Sequence, residues 1–236
     1  MKSVDITVFG DSIAKGLEIK KGRPTSLKEN AVDLVASHYN IQITNKSSFG
    51  QSISRLKEKG LIDEYLKKIN RKNRNIVVFC IGGNDCDFDW KAIDQSPNEE
   101  HFCKTKLEDF IAIYYEMIDK LRKKKVEIYI CALPVVCSRA FFNKYVCVIA
   151  DKKNILEFLE HDTSKISRHQ EIYNNALRDI CQAKKVVFLD IRTPFLKVKN
   201  IEKYYCDDGL HPNEDGQRLI AETIIKFFGK YEKGTV

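Results

Sequence analysis

The stretch Ile6-Thr-Val-Phe9-Gly10-Asp11-Ser12 places a hydroxyl group directly after a short apolar run near the start of the chain. A short apolar run is typical of a buried β-strand, and a Gly-Asp-Ser triplet favours a turn. Side chains that follow strands of an α/β sheet lie at the edge where such proteins bind ligands. The stretch therefore predicts a first strand that carries Ser12 to that edge.

Similar apolar runs recur along the chain and alternate with segments of helical spacing. The predicted strands are Ile6–Phe9, Ile41–Thr44, Ile76–Ile81, Val126–Leu133 and Val186–Ile191. The predicted helices are Ser26–Tyr39, Ser52–Ile69, with Gly60 as a weak point, Lys106–Lys124, Ser164–Lys184 and Asn213–Phe228. This alternation predicts parallel strands joined by right-handed crossovers, with helices on both faces of the sheet. We therefore expect a three-layer α/β/α fold with a five-stranded parallel sheet, in a single domain over residues 1–236.

Composition narrows the class of protein. The chain has 236 residues, of which 43% are hydrophobic and 31% charged, as in ordinary globular proteins. No apolar stretch is long enough to span a membrane. The N-terminus carries no secretory segment, which predicts a cytoplasmic location unless a leader has been removed. The eight cysteines lack the paired spacing of a zinc site and are expected to be free thiols.

The net charge of +7 does not by itself indicate a nucleic-acid partner. Lysine and arginine residues cluster near the ends of three predicted helices, at 67–74, 120–125 and 184–185, where cations stabilise the helix dipole. We predict no nucleic-acid partner, and a phosphate-binding patch is the alternative. The acidic run at Asp85, Asp87 and Asp89 lacks the glycine and glutamate of a calcium loop, so we expect no metal site and no cofactor.

A second chemical motif lies near the end of the chain, at Asp208-Gly-Leu-His211-Pro212. A carboxylate three residues before a histidine can bend back to the imidazole and leave the other ring nitrogen free to act as a base. Such a base can activate a serine hydroxyl for attack on a carbonyl. The alternative is that this segment only caps the last helix. Asp207 is a rival for the carboxylate position.

Two long connections leave the same predicted edge of the sheet, at 86–105 and 134–163. They carry five aromatic side chains that we take as candidate substrate contacts: Phe88, Trp90, Phe141, Phe142 and Tyr145. The alternative is that these loops are surface structure with their aromatic side chains buried beneath them.

Four separated blocks resemble those of the GDSL-type SGNH hydrolase family of serine esterases and acylhydrolases. The blocks are Phe9-Gly-Asp-Ser12, Asn45-Lys-Ser-Ser-Phe-Gly50, Gly82-Gly-Asn84-Asp85 and Asp208-Gly-Leu-His211-Pro212. Their order and spacing carry the resemblance over nearly the whole chain. One departure is Ile13, where the family motif has leucine, an exchange of one apolar residue for another.

The resemblance implies a flavodoxin-like sheet and a role for each block. Ser12 would be the nucleophile, His211 the base, and Asp208 the residue that orients the imidazole. The oxyanion donors would be the backbone N–H groups of Ser12 and Gly50 and the side-chain amide of Asn84. Asp11 and Asp85, which flank these positions, are expected to hold the loop backbone.

These observations predict a carboxylic-ester hydrolase that acts through a Ser-His-Asp triad and an acyl-enzyme. The substrate would be a small-molecule or carbohydrate ester, with a short acyl group such as O-acetyl on a carbohydrate. The alternatives are a lysophospholipase or thioesterase of the same family, or a catalytically inactive module that binds a carbohydrate or a partner. The nucleotide-binding glycine motifs are missing. The sequence makes no prediction of oligomeric state.

Overall fold

A computed structural model describes residues 3–20 and 23–232 of the chain. These residues form an α/β fold around a central five-stranded parallel sheet. The strands, including two that form a separate hairpin, are β1 (Val4–Gly10), β2 (Leu17–Lys20), β3 (Arg23–Ser26), β4 (Ile43–Asn45), β5 (Arg74–Cys80), β6 (Glu127–Cys131) and β7 (Val187–Leu189).

The sheet has the order β4-β1-β5-β6-β7, and its neighbouring strands are all parallel. Counted along the chain, these five strands have the order 2-1-3-4-5, which is that of flavodoxin-like folds. The longest pairing aligns β1 with β5 over seven residues, from Val4 opposite Arg74 to Gly10 opposite Cys80. The first, second and third predicted strands therefore end side by side at one edge of the sheet.

Helices cover both faces of the sheet. They are α1 (Ser12–Lys15), α2 (Ala31–Tyr39), α3 (Ile53–Glu58), α4 (Leu61–Lys68), α5 (Trp90–Gln95), α6 (Leu107–Lys123), α7 (Ser138–Phe141), α8 (Cys147–Ile149), α9 (Lys152–Phe158), α10 (Lys165–Lys184), α11 (Arg192–Lys197) and α12 (Glu214–Glu232). A π-helix lies at Phe142–Val146 and a 3₁₀-helix at Ile201–Tyr204. No helix of the described ranges is long and apolar enough to cross a lipid bilayer.

Two apolar cores separate the three layers. One face of the sheet packs against α3, α4, α6 and α10, with Phe79, Phe110 and Tyr114 fully buried. The other face packs against α2, α11 and α12. The alternating direction of side chains along a strand puts Val77 and Phe79 in the first core and Val78 in the second. The predicted α/β/α fold and its five parallel strands are confirmed.

Apart from shifts of a few residues at the ends of strands and helices, the local structure differs from the sequence prediction in two places. The helix expected from Ser26 begins at Ala31, because Asn30 caps it by accepting the Asp33 N–H at 3.0 Å. Residues 23–26 instead pair with 17–20 in an antiparallel hairpin. The helix expected over 52–69 divides into α3 and α4 at Gly60, whose φ of 61° is left-handed.

Candidate active site

Ser12 stands at the exact point where β1 ends and α1 begins. Asp11 caps α1, because its Oδ1 accepts the Ile13 N–H at 2.9 Å. Gly10 is required here, since a Cβ at this position would lie 2.4 Å from the Ala14 Cβ. As the first residue of a helix, Ser12 has a backbone N–H without an intrahelical partner.

The Asp208–His211 turn is held by the aspartate itself. Its Oδ1 accepts the backbone N–H groups of Leu210 at 2.9 Å and His211 at 3.0 Å, and its Oδ2 lies 2.6 Å from the His211 Nδ1. Gly209 between them has a φ of 67°. One carboxylate thus fixes both the turn and the imidazole ring.

The structure brings Ser12, His211 and Asp208 together in one hydrogen-bonded chain. The His211 Nε2 lies 2.9 Å from the Ser12 Oγ, although the two residues are 199 positions apart. All three side chains are buried. Ser12 and His211 line a cavity, and Asp208 lies behind the imidazole. Asp207 is exposed and makes no such contact.

The electrostatics of the two buried aspartates differ. Burial raises the pKa of Asp208, but the hydrogen bond and charge of His211 and two backbone N–H groups outweigh burial, so its pKa lies below 3.8. Asp208 is therefore ionised near neutral pH. Burial raises the pKa of Asp11 to about 6, against the opposing effect of the Ile13 N–H.

The predicted oxyanion donors line the same cavity as Ser12. Gly50 has a φ of 66°, which favours glycine, and its carbonyl accepts a hydrogen bond from the Arg55 guanidinium at 2.8 Å. The Asn84 amide donates one hydrogen bond to the Gln51 carbonyl at 3.1 Å. A side-chain amide has two N–H donors, so the second of Asn84 is available to a ligand.

Asp85 connects the loops that carry these donors. Its carboxylate accepts the Ile53 N–H at 3.0 and 3.1 Å and the Thr105 hydroxyl at 2.8 Å. Burial raises the pKa of Asp85 to about 6, although both hydrogen bonds lower it. The carboxylate joins the segment after β5 to the start of α3, three residues beyond Gly50.

The cavity has a volume of about 760 Å³ and extends from Ser12 to the two long connections. Those connections fold into α5, α7, α8, α9 and the π-helix, and they share one apolar cluster. Four of the five candidate aromatic side chains line the cavity: Phe88, Trp90, Phe141 and Tyr145. Phe142 packs into the same apolar cluster but is not among the lining residues.

Several lining residues were not predicted from the sequence. Arg55 comes from α3, Phe158 from α9, Leu210 from the turn before His211, and His169 from α10. The sequence offered no local signal for His169, which lies within an ordinary helical pattern. Among the described residues, no group of three His, Cys, Asp or Glu side chains is arranged to hold a metal ion.

A serine hydroxyl in contact with an imidazole that a buried carboxylate orients is the arrangement used by serine hydrolases. The sequence model that describes the GDSL-like Lipase/Acylhydrolase family matches residues 8–219 of this chain. The chain therefore belongs to this family. No curated protein matches the sequence significantly.

Solved structures share the fold at low sequence identity. A member of the lipolytic protein G-D-S-L family from Veillonella parvula is 16% identical, covers 97% of this chain and 100% of its own, and has a TM-score of 0.62. A catalytic mutant of an acetylxylan esterase from Geobacillus stearothermophilus is 18% identical, with 97% and 94% coverage and a TM-score of 0.62. A GDSL-like lipase from Bacteroides thetaiotaomicron is 15% identical, with 98% and 89% coverage and a TM-score of 0.59.

Proposed function

We propose that this protein hydrolyses carboxylic esters by nucleophilic attack of Ser12, with His211 as general base and Asp208 as the orienting carboxylate. The observation that carries the proposal is the continuous chain of short contacts, 2.9 Å from the Ser12 Oγ to the His211 Nε2 and 2.6 Å from its Nδ1 to Asp208. A neutral imidazole held in this way can accept the serine proton.

Acylation forms one bond, breaks another, and moves one proton from Ser12 through His211 to the leaving alcohol. The Ser12 hydroxyl proton passes to the His211 Nε2 as Oγ attacks the ester carbonyl carbon. The protonated imidazole is stabilised by the adjacent Asp208 carboxylate. It then gives the proton to the alcohol oxygen, the carbon–oxygen bond of the ester breaks, and the acyl group remains on Ser12.

The negative charge on the carbonyl oxygen needs fixed hydrogen-bond donors. Three donors support the proposal: the Ser12 N–H, the Gly50 N–H and the free N–H of the Asn84 amide. Arg55 and Asp85 hold the segments that carry two of them. Because these groups are fixed before substrate binds, they need little rearrangement during the reaction.

Deacylation repeats the chemistry with water. His211 takes a proton from water, and the resulting hydroxide attacks the acyl carbonyl carbon. The bond from this carbon to the Ser12 Oγ then breaks, and His211 returns the proton to Oγ. The net reaction is ester plus water to acid plus alcohol. These reaction steps need no cofactor.

For the substrate, we propose a short acyl group such as O-acetyl on a carbohydrate. The cavity of about 760 Å³ is far larger than an acetyl group, so the alcohol part of the ester would occupy most of it. Its walls include both aromatic rings and polar groups, which suits a ring that has hydroxyl groups on an apolar frame.

A second candidate is a lysophospholipase or thioesterase with a longer acyl chain. The observation that favours it is the apolar wall formed by Val136, Phe141, Leu159 and Ile166, which belong to one hydrophobic cluster. A chain of methylene groups would gain about 0.8 kcal/mol for each group buried there.

Hydrolysis of para-nitrophenyl acetate tests the proposal. We expect activity in the wild-type protein and loss of nearly all of it in Ser12→Ala and in His211→Ala. Ser37→Ala, on the exposed surface of α2, is the matched control and should keep full activity. A folded wild-type protein without esterase activity would favour the inactive binding module.

A further inference from the structure

His169 is the one histidine besides His211 that lines the cavity of Ser12. Its Nε2 atom is buried and has no hydrogen-bond partner among the described residues. Buried polar atoms are nearly always paired, so an unpaired one on a cavity wall calls for an explanation. A ligand group inside the cavity that His169 lines would supply the missing partner of this nitrogen.

The surroundings of His169 hold its ring in place. It packs against Phe88, with ring centroids 4.7 Å apart and planes inclined by 37°, and against Tyr173 at 5.4 Å. Burial lowers the pKa of His169, while the charge of Asp87 opposes this shift. The imidazole is therefore mostly neutral at pH 7, with one nitrogen able to accept and the other able to donate a hydrogen bond.

Other polar groups line the same part of the cavity. The Asp87 carboxylate accepts the Trp90 indole N–H at 2.9 Å and pairs with the Lys104 ammonium at 2.6 Å. The Tyr145 ring stacks on Phe141, with centroids 5.1 Å apart and planes inclined by 14°. Burial raises the pKa of Tyr145, so its hydroxyl stays protonated.

We propose that Asp87, Lys104, Tyr145 and His169 form a distal subsite that binds the hydroxyl groups of a sugar ring in the alcohol part of the ester. This inference rests on the proposed function and identifies specificity-determining residues for it. The subsite offers donors and acceptors beside aromatic faces, and a polyhydroxylated ring uses both. An alkyl chain in the same place would desolvate the Asp87–Lys104 ion pair and leave the His169 Nε2 unpaired, which is costly.

The test compares two acetates that differ only in the alcohol. Para-nitrophenyl acetate has no sugar hydroxyl groups, whereas acetylated xylo-oligosaccharides do, and both transfer the same acetyl group to Ser12. His169→Phe keeps an aromatic ring against Phe88 and removes both nitrogens. We expect it to lower the ratio of kcat/KM for the sugar acetate to kcat/KM for the aryl acetate by about 2–13-fold, the effect of one hydrogen bond.

Tyr145→Phe is the second variant, and His38→Phe is the matched control. Tyr145→Phe should lower the same ratio by a similar factor. His38 is exposed on α2 and does not line the cavity, so His38→Phe should leave the ratio unchanged. A ratio unchanged in both cavity variants would overturn the distal subsite. The distal subsite would also be overturned if the wild-type protein preferred para-nitrophenyl octanoate to both acetates and if His169→Phe increased that preference.

Calorimetric binding separates this inference from the proposed function. Ser12→Ala cannot form an acyl-enzyme, so its titration with acetylated xylo-oligosaccharides measures binding alone. We expect binding that weakens when His169→Phe is added to Ser12→Ala. If the wild-type protein had no esterase activity but the variants bound sugar in this way, the result would support the distal subsite and reject the proposed hydrolysis. Esterase activity with no effect of His169→Phe on sugar binding would do the reverse.

Discussion

The carboxylate of Asp85 accepts the backbone N–H of Ile53 through both oxygens, at 3.1 and 3.0 Å. This bond joins two segments that arrive from different strands. Asn84 precedes Asp85 after β5, and Gly50 precedes Ile53 after β4. The relative position of two proposed oxyanion donors therefore depends on this buried carboxylate, together with the hydrogen bond from the Asn84 amide to the Gln51 carbonyl.

Asp85→Ala should reduce turnover although Asp85 touches no reacting atom. The change leaves the buried Ile53 N–H without its acceptor and removes one of the two hydrogen bonds of the Thr105 hydroxyl, so the two donor segments are held together less tightly. We expect kcat on para-nitrophenyl acetate to fall about 10–100-fold, as displacements near 1 Å do elsewhere. KM should change little, and Asp85→Asn, which keeps one acceptor oxygen, should restore part of kcat. A loss confined to KM would contradict a positioning role.

Asp85 should also affect the pH dependence of stability. Because its pKa of about 6 lies above the ordinary 3.8, the folded state binds its proton more tightly than the unfolded state. Its protonation therefore contributes stability below about pH 4, and that contribution is lost as the pH rises to about 6 and above. The difference between the two pKa values corresponds to about 3 kcal/mol in the free energy of unfolding.

Urea unfolding of Asp85→Asn and wild type, at pH 4 and pH 7, checks this prediction. The stability of Asp85→Asn relative to wild type should increase between the two pH values, by up to about 3 kcal/mol. Parallel curves for the two proteins would show that the carboxyl titrates normally in the folded state.

Asp208 and Asp207 provide a matched pair for the orienting carboxylate. Asp208 bonds the His211 Nδ1, whereas its neighbour is exposed. Asp208→Asn should lower kcat by about 10³–10⁴-fold, because the amide favours the wrong tautomer of the imidazole. Asp207→Asn should keep wild-type kcat. Equal effects of the two changes on para-nitrophenyl acetate hydrolysis would remove Asp208 from the proposed mechanism.

Gly209 and Gly60 test how tightly the Asp208–His211 turn is packed. Both have left-handed φ values, 67° and 61°. A Cβ on Gly209 would lie 2.8 Å from the Cys137 carbonyl oxygen and the Phe141 nitrogen, whereas a Cβ on Gly60 meets nothing within 4 Å. Gly60→Ala therefore carries the backbone strain alone, about 1–2 kcal/mol.

Gly209→Ala adds steric overlap to the same strain. We expect a loss of stability about 1–3 kcal/mol greater than that of Gly60→Ala in urea unfolding. It should also lower kcat, because Asp208, the residue before Gly209, holds the imidazole of His211. If the two substitutions had the same effect on stability and kcat, the contact between this turn and α7 would be looser than described.

The sheet could be predicted because the signals of its strands are local, whereas the approach of His211 to Ser12 was predicted from the resemblance of four separated blocks to one family. The runs before Ser12 and Asn84 are apolar and buried, and the Asp208 to His211 spacing is a single turn. The hairpin at 17–20 and 23–26 could not be predicted, since β3 is exposed along its whole length and includes Pro24. No apolar period marks such a strand.

The cavity wall was harder to predict than the residues around Ser12. His169 lies within a regular helix, and only the packing of Phe88 from a distant loop shows that its ring borders the cavity. Phe142 and Phe141 are adjacent and chemically identical. Only Phe141 lines the cavity, because the helical turn at this point directs neighbouring side chains to different sides.

Labelling with a fluorophosphonate tests the central claim most directly, because this reagent reacts with a serine only when a base activates it. Peptide mass spectrometry then locates the adduct. We predict one adduct per chain, on the peptide that contains Ser12, and much slower labelling in His211→Ala. An adduct on another residue, or labelling of Ser12 at the wild-type rate in His211→Ala, would contradict the account.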